Sequence, residues 1–192
     1  LNKTRSILYE LAETGHGTKL LTEIFGRKDL FPNPKPIELL EFLLKHTKKS
    51  STVLDFFAGS GTTGHAVLKL NQMDGGKRQF ILGTDNENGI AENITYERIK
   101  KVINGYGDTD GIPANLRYFK TDFVEVEGLN RLTDKDKLDI TKEMGAMIAL
   151  KENSFERIEQ TDHWQTYENA TQITAIYFRE DKTKIDEYAS HC

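Results

Sequence analysis

The residues with the clearest chemical purpose form one short run, Gly59-Ser60-Gly61-Thr62-Thr63-Gly64, which matches G-x-G-x-x-G. The apolar stretch Thr52-Val53-Leu54-Asp55-Phe56-Phe57 precedes it and reads as a mostly buried strand, and a helical pattern from Thr62 to Leu70 follows. Glycines at such a turn let the backbone pass close to a ligand, while unpaired N–H groups at the helix start attract an anionic group. Asp85, at the tip of the next apolar run, sits 24 residues beyond Gly61. An acid there can accept hydrogen bonds from ribose hydroxyls. Loop and acid together describe a nucleoside-cofactor site at the carboxyl ends of adjacent strands. A simple tight turn is the bland alternative. A nucleotide phosphate loop is excluded, because it needs Lys and then Ser/Thr after the last glycine, and here His65-Ala66 follow Gly64. A nicotinamide or flavin dinucleotide and S-adenosylmethionine remain. Asp55, four residues before Gly59, and the hydroxyls of Thr62 and Thr63 favour the latter. A carboxylate suits an ammonium and a sulfonium better than a pyrophosphate.

The elements that must position this loop alternate. Leu20, Leu21, Ile24 and Phe25 predict a short helix stopped by Gly26, followed by the turn Phe31-Pro32-Asn33-Pro34-Lys35-Pro36. Pro36 is placed as the first residue of a second helix, whose apolar positions Ile37, Leu39, Leu40, Leu43 and Leu44 recur at helical spacing up to His46. After the loop helix, 71–78 reads as a turn, 79–84 as a second strand and 89–103 as a third helix. Helix, strand, helix, strand, helix predicts parallel strands covered by helices, an α/β open sheet with right-handed crossovers. Beyond Gly111 the pattern weakens to a strand over 116–124, a helix over 133–150 capped by Thr133, a strand over 172–178 and a last helix over 182–189. The helix over 133–150 is expected to turn Ile140, Met144, Met147 and Ile148 to one face.

Composition excludes several classes. The 192 residues are 37% hydrophobic and 29% charged with only 4 Pro, a globular balance with no run long enough to cross a bilayer as a helix. The single cysteine, Cys192, excludes an internal disulfide and a cysteine-based zinc site, and no signal-peptide pattern is present, so a cytoplasmic, non-membrane, metal-free protein is expected. The net charge of −4 argues against a self-sufficient nucleic-acid binder. It is unevenly spread, +3 over 1–105 and −7 over 106–192, with the break in the Gly/Asp-rich stretch around Gly107-Asp108. Residues 1–105 are therefore expected to form a cofactor-binding half and 106–192 an acidic continuation. The chain opens at Leu1 without an initiator Met and stops at His191-Cys192, which suggests a piece of something larger.

Asp55-Phe56-Phe57-Ala58-Gly59-Ser60-Gly61-Thr62-Thr63-Gly64 resembles motif I of amino-group DNA methyltransferases, and Phe31-Pro32-Asn33-Pro34-Lys35-Pro36 with its apolar helix resembles their motif X. Motif X just before motif I is the order of the permuted beta class. Gly17-Thr18-Lys19, the Pro-Lys-Pro turn, Phe80-Ile81-Leu82 to Asn86-Glu87 and Tyr96-Glu97-Arg98-Ile99 are similar to the modification subunit of type III restriction-modification systems. The resemblance runs from about Gly15 to Ile103.

It implies a partial Rossmann-like S-adenosylmethionine-dependent methyltransferase fold with a C-terminal α+β extension. The implied reaction moves a methyl group to N6 of adenine in a specific DNA sequence. By the same resemblance, Ala58, Gly59, Ser60 and Gly61 lie along the cofactor, with Phe56 and Phe57 beside it. Thr62, Thr63, Lys35 and Pro36 serve its carboxylate end, Asp55 faces its amino group, and Asp85 or Glu87 binds the ribose. Asp122 is a candidate to reach the adenine amino group. The family's Asp/Asn-Pro-Pro-aromatic tetrapeptide occurs nowhere in this chain, so no catalytic residue is assigned. The implied picture is a cofactor half whose target-recognition and catalytic half lies elsewhere. DNA, a restriction subunit and a second copy of the protein are the implied partners. Trp164 is read as a core or interface anchor, and His16 and His46 as loop and cap residues.

Overall fold

The computed structural model describes residues 12–121, 132–178 and 182–191. Two compact units divide the chain after Phe119.

The first unit is built around one βαβ step. Helix α1 (Thr14–Phe25) ends at Gly26, whose left-handed φ of 69° lets its N–H return to the Thr22 carbonyl. Helix α2 (Ile37–Leu44) follows the proline turn. Pro36 is its extended N-cap rather than its first helical residue, a shift of one position. Strand β1 (Thr52–Asp55), helix α3 (Thr62–Asp74) and strand β2 (Gln79–Leu82) come next, and the strands pair in parallel from Thr52 opposite Gln79 to Asp55 opposite Leu82. The turn expected over 71–78 starts late: α3 runs on through Asp74 and stops at left-handed Gly75. The third expected helix is a compound element, a 3-10 turn (Glu87–Gly89), a π-helical stretch (Ala91–Tyr96) and helix α4 (Glu97–Asn104).

Helix α3 is the hub. Ala66, Val67 and Leu70 pack with Ile37 and Leu44 of α2 and with Val53 and Phe80 of the strands, while Leu68 packs with Ile24, Ile99 and Val102. Helix α3 is enclosed on several sides, so Thr62 to Leu68 and Leu70 are all buried, the polar Thr62, Thr63 and His65 among them with hydrogen-bond partners. Gly64 makes the fit possible: a Cβ there would come within 2.9 Å of Ile99 Cδ1 and 3.0 Å of Leu82 Cδ1. Helices were expected to cover the sheet. Among the described residues they cover the Val53–Phe80 face, while Leu54 and Ile81, pointing the other way, are exposed.

The strand expected over 116–124 is not seen in its described part, since 116–121 is irregular; Asp122 and the rest of it lie outside the described residues.

The second unit holds helix α5 (Asp134–Lys151) and the antiparallel strands β3 (Glu156–Gln160), β4 (Trp164–Glu168) and β5 (Ile173–Tyr177), in that order across the sheet, with a short helix α6 (Ile185–His191) last. Thr133 caps α5 as expected, in a reciprocal capping box with Asp136. The buried side of α5 is not the expected one. Met144, Met147 and Ile148 are exposed, whereas Gly145 and Ala149 are buried, because α5 lies close against Gln165 of β4 where a larger side chain would not fit. Trp164 is a buried anchor, its Nε1 donating to Glu159 Oε2 at 2.8 Å.

Candidate functional site: a glycine loop braced from behind

Beyond its regular pairing the β1–β2 ladder continues, with Gly83 N–H donating to the Asp55 carbonyl (2.8 Å) and Ala58 N–H to the Gly83 carbonyl (3.0 Å). The chain then turns. Gly59 (φ 51°) and Gly61 (φ 76°) both take left-handed conformations, and Gly61 N–H closes the turn on the Ala58 carbonyl at 2.7 Å. Side chains rarely tolerate that backbone, which is why glycine stands at both positions. The first helical bond of α3 is His65 N–H to the Gly61 carbonyl, so the N–H groups of Thr62, Thr63 and Gly64 have no partner within the helix.

Asp55 stitches the strand end to the helix start. Its Oδ1 accepts Phe57 N–H at 3.0 Å and its Oδ2 accepts the Thr63 hydroxyl at 2.6 Å. Thr62 Oγ1 donates to the Lys35 carbonyl at 3.3 Å, which brings the proline turn to the loop; Lys35 is exposed and Pro36 buried. Gly17 serves the same junction, since a Cβ there would run into the Pro34 carbonyl. Both threonine hydroxyls are thus engaged inside the protein. The N–H groups of both residues lie at the start of α3 without a partner in the helix. Phe57 is 91% exposed and Phe56 70%, an unusual position for two phenylalanines beside buried Ala58 and Ser60. At the end of β2, Asp85 and Glu87 are both exposed, with Glu87 N–H donating to Asp85 Oδ1 at 3.1 Å. The structure therefore gathers Lys35, Pro36, Asp55 and Phe56 to Thr63 at one loop and sets Asp85 and Glu87 at the tip of the neighbouring strand.

The residues behind the loop carry no expected role. Thr95 Oγ1 donates to the Gly59 carbonyl at 2.7 Å. Arg98, with no exposed surface, donates through one terminal nitrogen to the Ser60 carbonyl (3.1 Å), Ser60 Oγ (3.1 Å) and Thr62 Oγ1 (2.8 Å). Its other terminal nitrogen lies 3.4 Å from His65 Nδ1. Beside a guanidinium that nitrogen must accept, so the imidazole proton sits on Nε2. Burial first, then Arg98 and Lys69, pushes the His65 pKa down to about 3. Burial lowers Arg98 to about 10, which leaves it charged at neutral pH. One signal for these residues is present in the sequence. Ala91, Thr95, Arg98, Ile99 and Val102 follow the spacing of a buried helical stripe, and two of the five are polar.

A separate cavity of about 440 Å³, lined among others by His16, Glu38, His65, Lys69 and Tyr106, does not include the glycine loop. His16 and His46 are exposed; His16 lies 4.0 Å from Glu38, and His46 packs edge-on to Phe42. No cluster of side chains among the described residues could hold a metal, and no helix there is long and apolar enough to cross a membrane.

Residues 4–97 match the DNA methylase family. Over 97 residues the chain is 43% identical to the Mod subunit of the type III restriction-modification enzyme StyLTI from Salmonella typhimurium, a match covering 48% of this chain and 15% of that protein. It is 51% identical over 81 residues to the EcoPI Mod subunit of Escherichia phage P1, covering 41% of this chain and 12% of the relative. It is 40% identical over 85 residues to the type II methyltransferase M.KpnI of Klebsiella pneumoniae, covering 44% and 20%. The matches thus take in just under half of this chain and at most a fifth of each of these relatives. The resemblance to type III modification subunits stated from the motifs holds over this segment.

Proposed function

We propose, from the DNA methylase character of residues 4–97, that this chain carries the S-adenosylmethionine site of a site-specific adenine-N6 DNA methyltransferase belonging to a restriction-modification system. The observation that carries the reading is the loop itself: two left-handed glycines at a strand end, open N–H groups at the start of α3, and Asp55 fastened between them. The donor set suits the cofactor. The N–H groups of Thr62 and Thr63, with the exposed Lys35 ammonium, hold the methionine carboxylate. Asp55 presents negative charge to its ammonium. Phe56 and Phe57 cover the chain of the bound molecule and lose their exposure on binding. Asp85 and Glu87 take the ribose hydroxyls. When bound, S-adenosylmethionine supplies an electrophilic sulfonium methyl; the Asp/Asn-Pro-Pro-aromatic tetrapeptide that would hold an adenine amine does not occur in this sequence. The chain alone is therefore expected to bind cofactor weakly and to transfer little or no methyl to DNA. DNA, a restriction subunit and a second copy are proposed as partners of the whole protein.

Calorimetry with S-adenosylmethionine, S-adenosylhomocysteine and NAD tests the assignment. Binding of the first two, lost in Gly61→Val and Asp55→Ala, is the expected result. Binding of NAD alone would replace it with a dinucleotide site, and no binding of any of the three would leave a non-catalytic assembly domain. Asp85→Asn and Glu87→Gln then separate the two candidate ribose acids, the true one costing about tenfold in affinity.

A further inference from the structure

The Gly59 carbonyl, the Ser60 carbonyl and hydroxyl and the Thr62 hydroxyl all meet α4 or the π-helical stretch before it, and the group that receives most of them is Arg98. It is fully buried, it spans three oxygens of Ser60 and Thr62, and its Nε has no hydrogen-bond partner. No carboxylate of the described residues pairs with it. A buried cation without an anion is costly unless something offsets it. The neutral neighbours, two hydroxyls, a carbonyl and an imidazole, supply dipoles but no charge. Arg98 holds the Ser60 carbonyl and the Thr62 hydroxyl inward, directly beneath the start of α3, where the N–H groups of Thr62, Thr63 and Gly64 have no partner within the helix. The positive end of α3 starts at the same place. Guanidinium, helix terminus and open N–H groups all favour a negative group in front of the loop.

We propose that Arg98 is a positioning residue that sets the orientation of the Ser60–Thr62 backbone and whose buried charge selects the carboxylate end of the cofactor. It acts through the loop and touches neither cofactor nor DNA. The proposal rests on the S-adenosylmethionine reading above and adds a charge-selecting residue to it.

The test compares S-adenosylmethionine with its decarboxylated form, which differs only by the carboxylate, on the 192-residue chain by calorimetry. The unmodified chain should prefer the carboxylated ligand. In Arg98→Met that ligand should weaken about 10- to 30-fold, while the decarboxylated one changes less than about twofold. Arg98→Lys, which keeps the charge but not the planar fork, should retain most of the preference while binding both ligands less tightly. Equal weakening of both ligands in Arg98→Met, or a preference lost in Arg98→Lys, would show a structural prop and overturn the proposal. Should Arg98→Met fail to fold by circular dichroism, Arg98→Gln carries the same comparison, and Arg98→Lys by itself still decides it. If the unmodified chain binds neither ligand, the S-adenosylmethionine reading fails first. If it binds both without preference, that reading survives and the role of Arg98 falls.

Discussion

Two arginines are buried among the described residues of the first unit, and they are buried on different terms. Arg78, at the amino end of β2, forms a fork-to-fork pair with Asp74, its two terminal nitrogens 3.1 and 3.0 Å from Oδ1 and Oδ2, and adds Thr47 and Asn71 as acceptors. Arg98, at the other end of the strands, meets only neutral dipoles. The first arrangement closes on itself: its charge is neutralised where the chain leaves α3 and enters β2. The second leaves charge over, and leaves it beneath a loop whose outer side is open. The same side chain thus clamps a turn at one end of the sheet and polarises a loop at the other, and the local presence of a carboxylate makes the difference.

The largest effect expected from this contrast is on acid stability. His65 stays neutral in the fold down to about pH 3, while an unfolded chain protonates it near 6.5. Its contribution is therefore complete above pH 6.5 and is lost as pH falls from there towards 3, at up to about 1.4 kcal/mol per pH unit. Denaturant midpoints measured from pH 7 to 4 should fall steeply and should flatten in His65→Gln; an equally steep fall in that variant would place the burden elsewhere. Separating Arg98 from the loop comes next. Gly64→Val forces side-chain atoms into Ile99 and Leu82, where overpacking costs about 1–3 kcal/mol. It should lower both the unfolding midpoint and the affinity for S-adenosylhomocysteine; an unaffected affinity would mean that α4 does not brace the site. A smaller loss, about 1 kcal/mol in denaturant unfolding, is expected from Thr95→Val, which removes the hydroxyl from the Gly59 carbonyl but keeps the shape. The smallest effect on binding belongs to Arg78→Met. Cofactor affinity should stay within about twofold, although stability falls. The Arg78 hydrogen bond holds the Asp74 carboxyl below its ordinary 3.8, so the stability that pair adds is present above pH 3.8 and fades below it. In Arg78→Met that acid-limb dependence should shrink to what the Gly76 N–H and Lys49 still supply. A large drop in cofactor affinity there would erase the distinction between the two arginines.

Much of the first unit is legible in the order of its residues. Periodicity marks α1 to α3, Gly26 stops α1 where its left-handed C-cap requires it, and the glycine loop lies between strand and helix as its spacing requires. These features depend on local backbone preference and on one apolar face, and neither needs a distant partner. The misreadings share the opposite property. Met144, Met147 and Ile148 look like the buried face of α5, yet close approach to β4 gives that place to Gly145 and Ala149. Strands β3 and β4, Glu-Arg-Ile-Glu-Gln and Trp-Gln-Thr-Tyr-Glu, carry too many polar residues for their alternation to stand out, and only pairing in an antiparallel sheet makes them strands.

Sequence by itself determined the loop, because Gly59 and Gly61 are the residues that a left-handed turn admits and Asp55 is near enough along the chain to bind both Phe57 N–H and Thr63 Oγ1. Tertiary structure alone decided what lies under that loop. Arg98 is 38 residues from Ser60, and Arg78, nearly as buried, has Asp74 four residues away. A charge is costly to bury in proportion to what surrounds it, and its surroundings exist only once α4 has packed against α3.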